Sequence, residues 1–160
     1  MATRKINSNK NSKQTISNTA NAYPEFIQEL QQLFPNINFI PGERFTFRPP
    51  NTVIFEEPTE YFELQTLHEV GHSLCGRYDW KTHVERLRIE SEAWQAGKKL
   101  YLSHPEWQEK YHFEFDEEIV EALLDSYRDW LHTKSKCKKC GLTRLQTSNG
   151  KYYCPGCDLL

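Results

Sequence analysis

The residues with the clearest chemical potential are His68-Glu69-Val70-Gly71-His72, an H-E-x-x-H sequence. Histidines four residues apart lie about one helical turn apart, so both imidazoles can reach a single metal ion. Glu69 lies off that line, where it can take a proton from a metal-bound water without binding the ion itself. The pattern predicts a hydrolytic zinc centre with His68 and His72 as ligands and Glu69 as general base.

A second set of potential ligands lies near the C-terminal end, where Cys137, Cys140, Cys154 and Cys157 form two C-x-x-C pairs. This spacing resembles a zinc ribbon, whose closed Cys₄ site is structural. Between the pairs, Asn149-Gly150 marks a hairpin turn. A segment of about 27 residues buries too little apolar surface to fold alone, so metal would supply the folding energy. We expect no disulfides, because no secretory signal pattern precedes the segment.

The segments around H-E-x-x-H predict a strand followed by a helix. Residues 51–56 alternate apolar and polar types and are rich in β-branched and aromatic residues, as strands are. We expect Thr59 to cap the helix and Gly76 to end it. The next helix is predicted to begin near a capping box, Thr82-x-x-Glu85. Cys75, on an apolar helix face, is interpreted as a buried thiol.

A catalytic zinc site commonly has three protein ligands and one open position. Glu92 stands twenty residues after His72 and precedes Ala93. This spacing and the Glu-Ala pair resemble the third-ligand helix of the thermolysin-like gluzincins. The run over residues 90–96 is also similar to the Glu-x-Glu-Ala segment of the small ImmA/IrrE-type metallopeptidases. The resemblance implies Glu92 as the third ligand, with Glu90 as the alternative in a different helix phase.

His83 offers another way to complete the site. SprT-like proteases use a third histidine on a following segment and often carry a C-terminal zinc ribbon, so the chain resembles that family too. His83 lacks the neighbouring glycine that usually accompanies this ligand. In thermolysin an aspartate four residues after the glutamate ligand orients a histidine ligand, but Ala96 stands at that place here. The group that orients the histidine must therefore be another one, and Asp79, Asp125 and backbone carbonyls are the alternatives.

The remaining pattern predicts an α+β fold. A helix over 23–34 directs Phe26, Ile27, Leu30 and Leu33 inward, and strands at 36–40, 44–47 and 51–56 form a short sheet that packs on the H-E-x-x-H helix. A last helix is capped near Asp116 and runs through Leu131, before a basic linker at Thr133. We expect a flexible tail at 1–22, a zincin-like domain at 23–133 and a zinc ribbon at 134–160.

Composition restricts the partners. The net charge of −2 conceals a basic stretch from Lys134 to Lys151 that contains no acidic residue. This stretch is a solvated face or a contact surface for nucleic acid or an acidic protein. No run approaches eighteen apolar residues, so we expect no membrane contact and a cytoplasmic location.

Together these features predict a zinc metallopeptidase that hydrolyses a peptide or protein substrate, with one catalytic and one structural Zn²⁺. A zinc-bound water would be the nucleophile. Stabilising the tetrahedral intermediate needs another donor, and the available residues are His83, Tyr78, Tyr101, His104 and His112. The alternative function is a regulatory zincin scaffold whose ribbon binds DNA or a protein, including a SprT-like DNA-associated protease.

Overall fold

The structure is a computed structural model that describes residues 24–158, so the tail expected at 1–22 lies outside the described residues. These residues form five helices and two small sheets, which confirms the predicted α+β class. In chain order the elements are α1 (Glu25–Leu33), β1 (Asn38–Pro41), β2 (Thr46–Arg48), β3 (Thr52–Phe55), α2 (Phe62–Cys75), α3 (His83–Leu102), α4 (Glu106–Tyr111), α5 (Glu117–Ser135), β4 (Leu145–Gln146) and β5 (Tyr152–Tyr153).

The first sheet has the order β1-β3-β2, with β3 parallel to β1 and antiparallel to β2. Val53 in the central strand is fully buried and pairs with Phe39 on one side and Phe47 on the other. Strands β2 and β3 both contact α2. The predicted strands are therefore present, and the sheet packs on the H-E-x-x-H helix as expected.

Helix α1 presents an apolar face to the core. Phe26, Ile27 and Leu30 are buried, whereas Leu33 is 42% exposed. The prediction that Leu33 points inward is wrong, because the helix ends at this residue and the chain turns at Phe34.

Helix α2 ends as predicted but begins later. Gly76 adopts a left-handed φ of 63°, and its N–H donates to the carbonyl of His72 at 3.3 Å. Thr59 is not the N-cap: the helix starts after Tyr61, and Thr59 accepts from the N–H of Phe62 through its backbone carbonyl.

Helices α2 and α3 run antiparallel in close contact. A Cβ at Gly71 would lie 2.1 Å from the carbonyl oxygen of Ala93, and one at Gly97 would lie 2.8 Å from the carbonyl oxygen of Leu67. Only glycine fits between backbones this close. This packing explains why two residues of low helix propensity occur inside these helices. The contact brings the H-E-x-x-H face against α3.

The main core lies among α1, the first sheet, α2 and α4. Trp107 of α4 is completely buried, and its indole N–H donates to the Glu29 carboxylate at 2.6 Å. Six residues are too few to show a helical period, and α4 is not among the predicted helices. A second apolar cluster joins α2, α3 and α5 through Leu64, Trp94, Val120 and Leu124.

The two remaining predicted helix caps are present in the structure. Thr82 and Glu85 form the capping box of α3, and the Asp116 carboxylate accepts from the N–H groups of Glu118 and Ile119 at the start of α5. Helix α5 continues to Ser135, so Thr133 belongs to the helix and not to the expected linker. Strands β4 and β5 form the hairpin predicted from Asn149-Gly150, with Gly150 at a φ of 83°.

Between residues 24 and 158, we find no helix with the length and apolar character needed to cross a membrane.

We predict that Gly71→Ala destabilises the protein by about 1 to 3 kcal/mol, because the added methyl group overlaps the Ala93 backbone. Alanine's better helix propensity offsets about 1 kcal/mol of the steric cost at most. Gly97→Ala, with the longer 2.8 Å approach, should cost less. Urea unfolding followed by circular dichroism compares the three proteins. A Gly71→Ala protein as stable as the parent would contradict the close packing of α2 and α3.

Candidate metal centres

His68, His72 and Glu90 bring three potential ligand atoms to one point. The Nε2 atoms of the two histidines lie 3.2 Å apart, and each lies 3.2 Å from Oε2 of Glu90. All three side chains are mostly withdrawn from solvent, with exposures of 9%, 12% and 10%. The residues come from facing positions on α2 and α3, so the helix contact itself assembles the group.

This triangle fits a metal ion better than a hydrogen-bond network. Each Nε2 can carry one proton and direct it at one acceptor, so three equal contacts cannot all be hydrogen bonds. In a tetrahedral site with Zn–N and Zn–O bonds of roughly 2.0 to 2.1 Å, neighbouring ligand atoms lie about 3.3 Å apart. The observed 3.2 Å edges match that separation. The three residues could hold a metal ion.

Electrostatics also suits a cation. Burial lowers the pKa of His68, which favours the neutral imidazole that binds metals. Burial acts to raise the pKa of Glu90, but its hydrogen bonds to His68 and His72 outweigh this and hold the pKa well below its usual range. Two neutral nitrogens and one carboxylate oxygen are a common donor set for zinc.

Aromatic rings fix the orientation of both imidazoles. The His68 ring stacks on Trp94 with centroids 4.1 Å apart, and the His72 ring stacks on Phe47 at 6.0 Å. Nδ1 of His68 is buried and has no hydrogen-bond partner in the described part of the chain. Packing therefore takes the orienting role that a hydrogen-bonded partner commonly has in metal sites.

Neither carboxylate proposed as an orienting partner takes that role. Among residues 24–158, Asp79 and Asp125 form no hydrogen bond with either imidazole. Asp79 is exposed in the loop before α3, and Asp125 pairs with Arg128 on the outer face of α5.

The structure does not bring Glu92 to the histidines, so the helix phase implied by the family resemblance is corrected. The Glu92 carboxylate forms ion pairs with Arg77 at 3.2 Å and Arg88 at 3.4 Å and is one-third exposed. Glu90 is two residues earlier, or about 200° around the helix, and it faces α2 instead.

A signal for this phase is present in the sequence. The buried positions of α3 are Ile89, Glu90, Ala93, Trp94 and Gly97. Counted from Glu90, the last three follow the i+3, i+4, i+7 pattern of one helix face. Glu90 is thus in register with the apolar stripe, whereas Glu92 is not. The twenty-residue spacing taken from the family resemblance pointed to the wrong face.

His83 lies at the start of α3 and faces the C-terminal hairpin. Its Nδ1 lies 2.7 Å from the Tyr152 hydroxyl, and its backbone N–H donates to Gln146 Oε1 at 2.9 Å. These two contacts direct His83 toward the C-terminal hairpin. His83 does not join the cluster of His68, His72 and Glu90.

Glu69 lies beside the triangle without belonging to it. Its side chain is buried in the wall of the cleft that contains both histidines. Burial raises the pKa of Glu69 to about 7, although the charge of His72 and the backbone amide of Phe47 act in the opposite direction. The carboxyl group is thus close to the candidate ligands and separate from them, as a general base must be.

The cleft has a volume of about 520 Å³ and opens between β2, the loop before α3, and α5. Of the five residues considered as donors to a tetrahedral intermediate, only Tyr78 lines it. Its hydroxyl already donates to the carbonyl of Pro50 at 3.1 Å. Arg86 and Tyr127 also line the cleft, and neither residue belongs to a motif that predicts the site.

The other three donor candidates lie elsewhere in the fold. Tyr101 packs against Phe113, His104 stacks on Trp107 at 4.3 Å, and His112 follows α4 in a left-handed conformation. In the sequence, Tyr127 occupies an ordinary position in the apolar pattern of α5. That pattern carries no sign that the residue lines the cleft.

The four cysteines of the C-terminal segment also converge. The sulfur atoms of Cys137 and Cys157 lie 4.0 Å apart, and those of Cys140 and Cys154 lie 3.5 Å apart. These separations bracket the roughly 3.8 Å expected between thiolates that share a tetrahedral zinc ion. All four thiols are free, so the cluster is not a pair of disulfides. The set could bind a metal ion such as zinc.

The thiol electrostatics are consistent with a cation in this cluster. Backbone N–H groups of Cys140 and Lys139 lower the pKa of Cys137 to about 6. Hydrogen bonding to Cys140 and burial raise the pKa of Cys157 to about 12. A bound cation is what would allow all four sulfurs to ionise together at neutral pH. Cys75 is far from this set on α2 and is half-buried, so its predicted full burial is wrong.

Comparison of the chain with protein-family models, with curated proteins and with solved structures found no match.

We predict that the purified protein binds about two equivalents of zinc and that the double variant Cys137→Ser, Cys140→Ser loses one of them. Elemental analysis after removal of loosely bound metal measures the stoichiometry. Cys75→Ser is the matched control and should retain both ions, because Cys75 belongs to neither cluster. A stoichiometry that does not change on loss of Cys137 and Cys140 would rule out the Cys₄ site.

Proposed function

We propose that the protein is a zinc-dependent metallopeptidase in which His68, His72 and Glu90 hold the catalytic ion and Glu69 is the general base. The single observation that carries this proposal is the triangle of ligand atoms at 3.2 Å, with a second, non-ligand carboxyl group, that of Glu69, beside it in an open cleft. The Cys₄ cluster, as a closed set of thiolates, is assigned a structural role.

The chemistry divides among these residues. A zinc ion at the triangle would supply a Lewis acid for the scissile carbonyl and lower the pKa of a coordinated water to roughly 7. Glu69 accepts the proton from the attacking water and then transfers it to the leaving amine. His68 and His72 remain neutral ligands, and Glu90 contributes the negative charge that stabilises a divalent ion in a buried position.

The shape of the cleft favours a peptide substrate. Strand β2 is at the edge of its sheet, pairs with β3 on one side, and contributes Thr46 and Phe47 to the cleft wall. An edge strand leaves backbone hydrogen-bonding groups that an extended peptide can pair with. Such pairing would lay the peptide across the mouth of the site that contains His72 and Glu69.

A regulatory scaffold that binds a partner through its ribbon is the second candidate. It is favoured by the exposed lysines of the ribbon, Lys136, Lys138, Lys139 and Lys151, which lie in a segment without acidic residues. A scaffold has no need for Glu69, however, since the triangle of His68, His72 and Glu90 is complete without it. Burying an unused carboxyl group would cost stability, so we place the peptidase first.

We predict that Glu69→Gln keeps the catalytic zinc and lowers the turnover of casein or a quenched fluorescent peptide by at least about 10²-fold, since glutamine cannot accept the proton. Zinc content should equal that of the parent. Glu63→Gln, one to two turns earlier on α2, is the control and should cleave normally. Equal turnover by the Glu69 variant would refute this mechanism, and zinc binding without turnover in either protein would favour the scaffold.

We further predict that Glu90→Ala weakens zinc binding at the catalytic site by more than the 10- to 100-fold typical of residues that only orient a ligand. Glu92→Ala and His83→Ala should leave affinity nearly unchanged, because neither residue reaches the triangle. Competition with a chromophoric chelator gives the affinities, and cobalt substitution separates the two sites, since thiolate charge-transfer bands arise only from the cysteines. Loss of the ion from the Glu92 variant alone would contradict the assignment.

A further inference from the structure

Arg86 occupies an unusual position in the cleft wall. It lies one turn before Glu90 on α3, and its guanidinium carbon is 5.3 Å, 5.4 Å and 5.6 Å from the ring centroids of Trp80, Trp130 and Tyr127. Cations at such distances from aromatic rings are attracted by the ring quadrupoles. Rings from the loop before α3 and from α5 therefore hold the guanidinium in place before any ligand arrives.

Arg86 shares a side-chain hydrogen bond with Tyr127, but part of its donor capacity is unused among the described residues. Its Nε is buried and has no hydrogen-bond partner among residues 24–158. The closest carboxylate oxygen, Oε1 of Glu90, is 3.8 Å from Nε, which is too long for a hydrogen bond. One-third of the side chain stays exposed, and the residue lines the cleft. A positioned cation with an unpaired Nε donor thus lies next to the candidate reaction centre.

The other charged residues of the cleft leave Arg86 available to an anionic ligand. Its lining contains three arginines, Arg44, Arg77 and Arg86, and two acids, Glu69 and Glu90. Both acids belong to the candidate centre, so neither is available to bind a cationic substrate group. Arg77 is engaged by Glu92 at 3.2 Å. Arg44 and Arg86 therefore remain as the cleft cations that can attract an anionic group of a substrate.

We propose that Arg86 binds a carboxylate of the substrate, so that the cleft selects peptides with an acidic side chain or a free C-terminal carboxylate next to the scissile bond. The inference rests on the proposed function, because it specifies the substrate class of the same site. Guanidinium groups bind carboxylates with two parallel N–H···O bonds. The 3.8 Å separation from Glu90 places the bound carboxylate within about one residue of the candidate centre.

Three peptides that differ only at one internal residue and at the C-terminus test this specificity. They also show whether the carboxylate comes from an acidic side chain or from the C-terminus. The first has an internal Glu and an amidated C-terminus, the second an internal Gln and a free C-terminus, and the third an internal Gln and an amidated C-terminus. The parent should cleave the first or the second with a kcat/KM about 10- to 100-fold above the third, the range for a hydrogen bond to a charged group. The preferred peptide identifies the source.

The variants determine whether Arg86 is responsible. Arg86→Gln should lower kcat/KM for the preferred carboxylate peptide about 10- to 100-fold more than for the third peptide, whereas Arg86→Lys should keep part of the preference. Arg88→Gln is the matched control: Arg88 lies on the same helix, pairs with Glu92 and does not line the cleft, so the preference should remain. A uniform loss on all three peptides, or an unchanged preference in Arg86→Gln, overturns the proposal.

Binding provides a readout that does not depend on turnover. In the Glu69→Gln background, tryptophan fluorescence should report tighter binding of the carboxylate peptide than of the amide peptide, and Arg86→Gln should abolish the difference. If no peptide is cleaved but this difference is present, the peptidase function fails while carboxylate recognition by Arg86 is supported. If amide peptides are cleaved and bound as well as acidic ones, the peptidase function stands and the role of Arg86 is refuted.

Discussion

The carbonyl oxygen of Ala93 lies where a side chain at residue 71 would have to be, and the backbone of Leu67 similarly crowds Gly97. These two glycines let α2 and α3 approach until their backbones touch, with the small cost in helix propensity offset by the packing around them. At this distance a carboxylate on α3 reaches imidazoles on α2. With larger residues at either position the helices would separate, and the 3.2 Å triangle of His68, His72 and Glu90 could not form.

Around that contact, aromatic rings hold the charged and polar groups in place. Trp94 stacks on His68, Phe47 stacks on His72, and three further rings surround Arg86. Rings exclude water and restrict rotation without competing for the lone pairs or N–H groups that a ligand needs. The same arrangement explains how a buried imidazole such as His68 keeps its orientation although its Nδ1 has no hydrogen-bond partner.

The C-terminal hairpin supports the same wall of the cleft. A Cβ at Gly150 would lie 2.4 Å from the carbonyl oxygen of Lys81, and Tyr152 contacts the His83 ring at the first turn of α3. The His83 ring also packs against Trp130, one of the rings beside Arg86. The hairpin is positioned by the four cysteines, so the Cys₄ cluster and the cleft are linked through a short chain of packed side chains.

The sequence by itself determined those features that depend on local backbone geometry. Helical periodicity places His68 and His72 on one face, and C-x-x-C spacing brings Cys137 and Cys140 together. The conformational preference of glycine predicts the end of α2 at Gly76 and the hairpin turn at Asn149-Gly150. Each of these depends on residues a few positions apart, whose relative placement is fixed by backbone dihedrals. The α+β class and most helix and strand positions followed from the same signals.

Only the tertiary structure decided which residues from different elements meet. Glu90 rather than Glu92 faces the histidines because the phase of α3 follows its buried stripe. The spacing within α3 marks that stripe, but the interval between His72 and the glutamates does not show which face of α3 meets α2. Arg86 and Tyr127 enter the cleft because α5 crosses near α3, and His83 turns to the hairpin because Gln146 and Tyr152 satisfy it there. Contacts between elements depend on how whole surfaces pack, whereas spacing within one element depends on its own backbone.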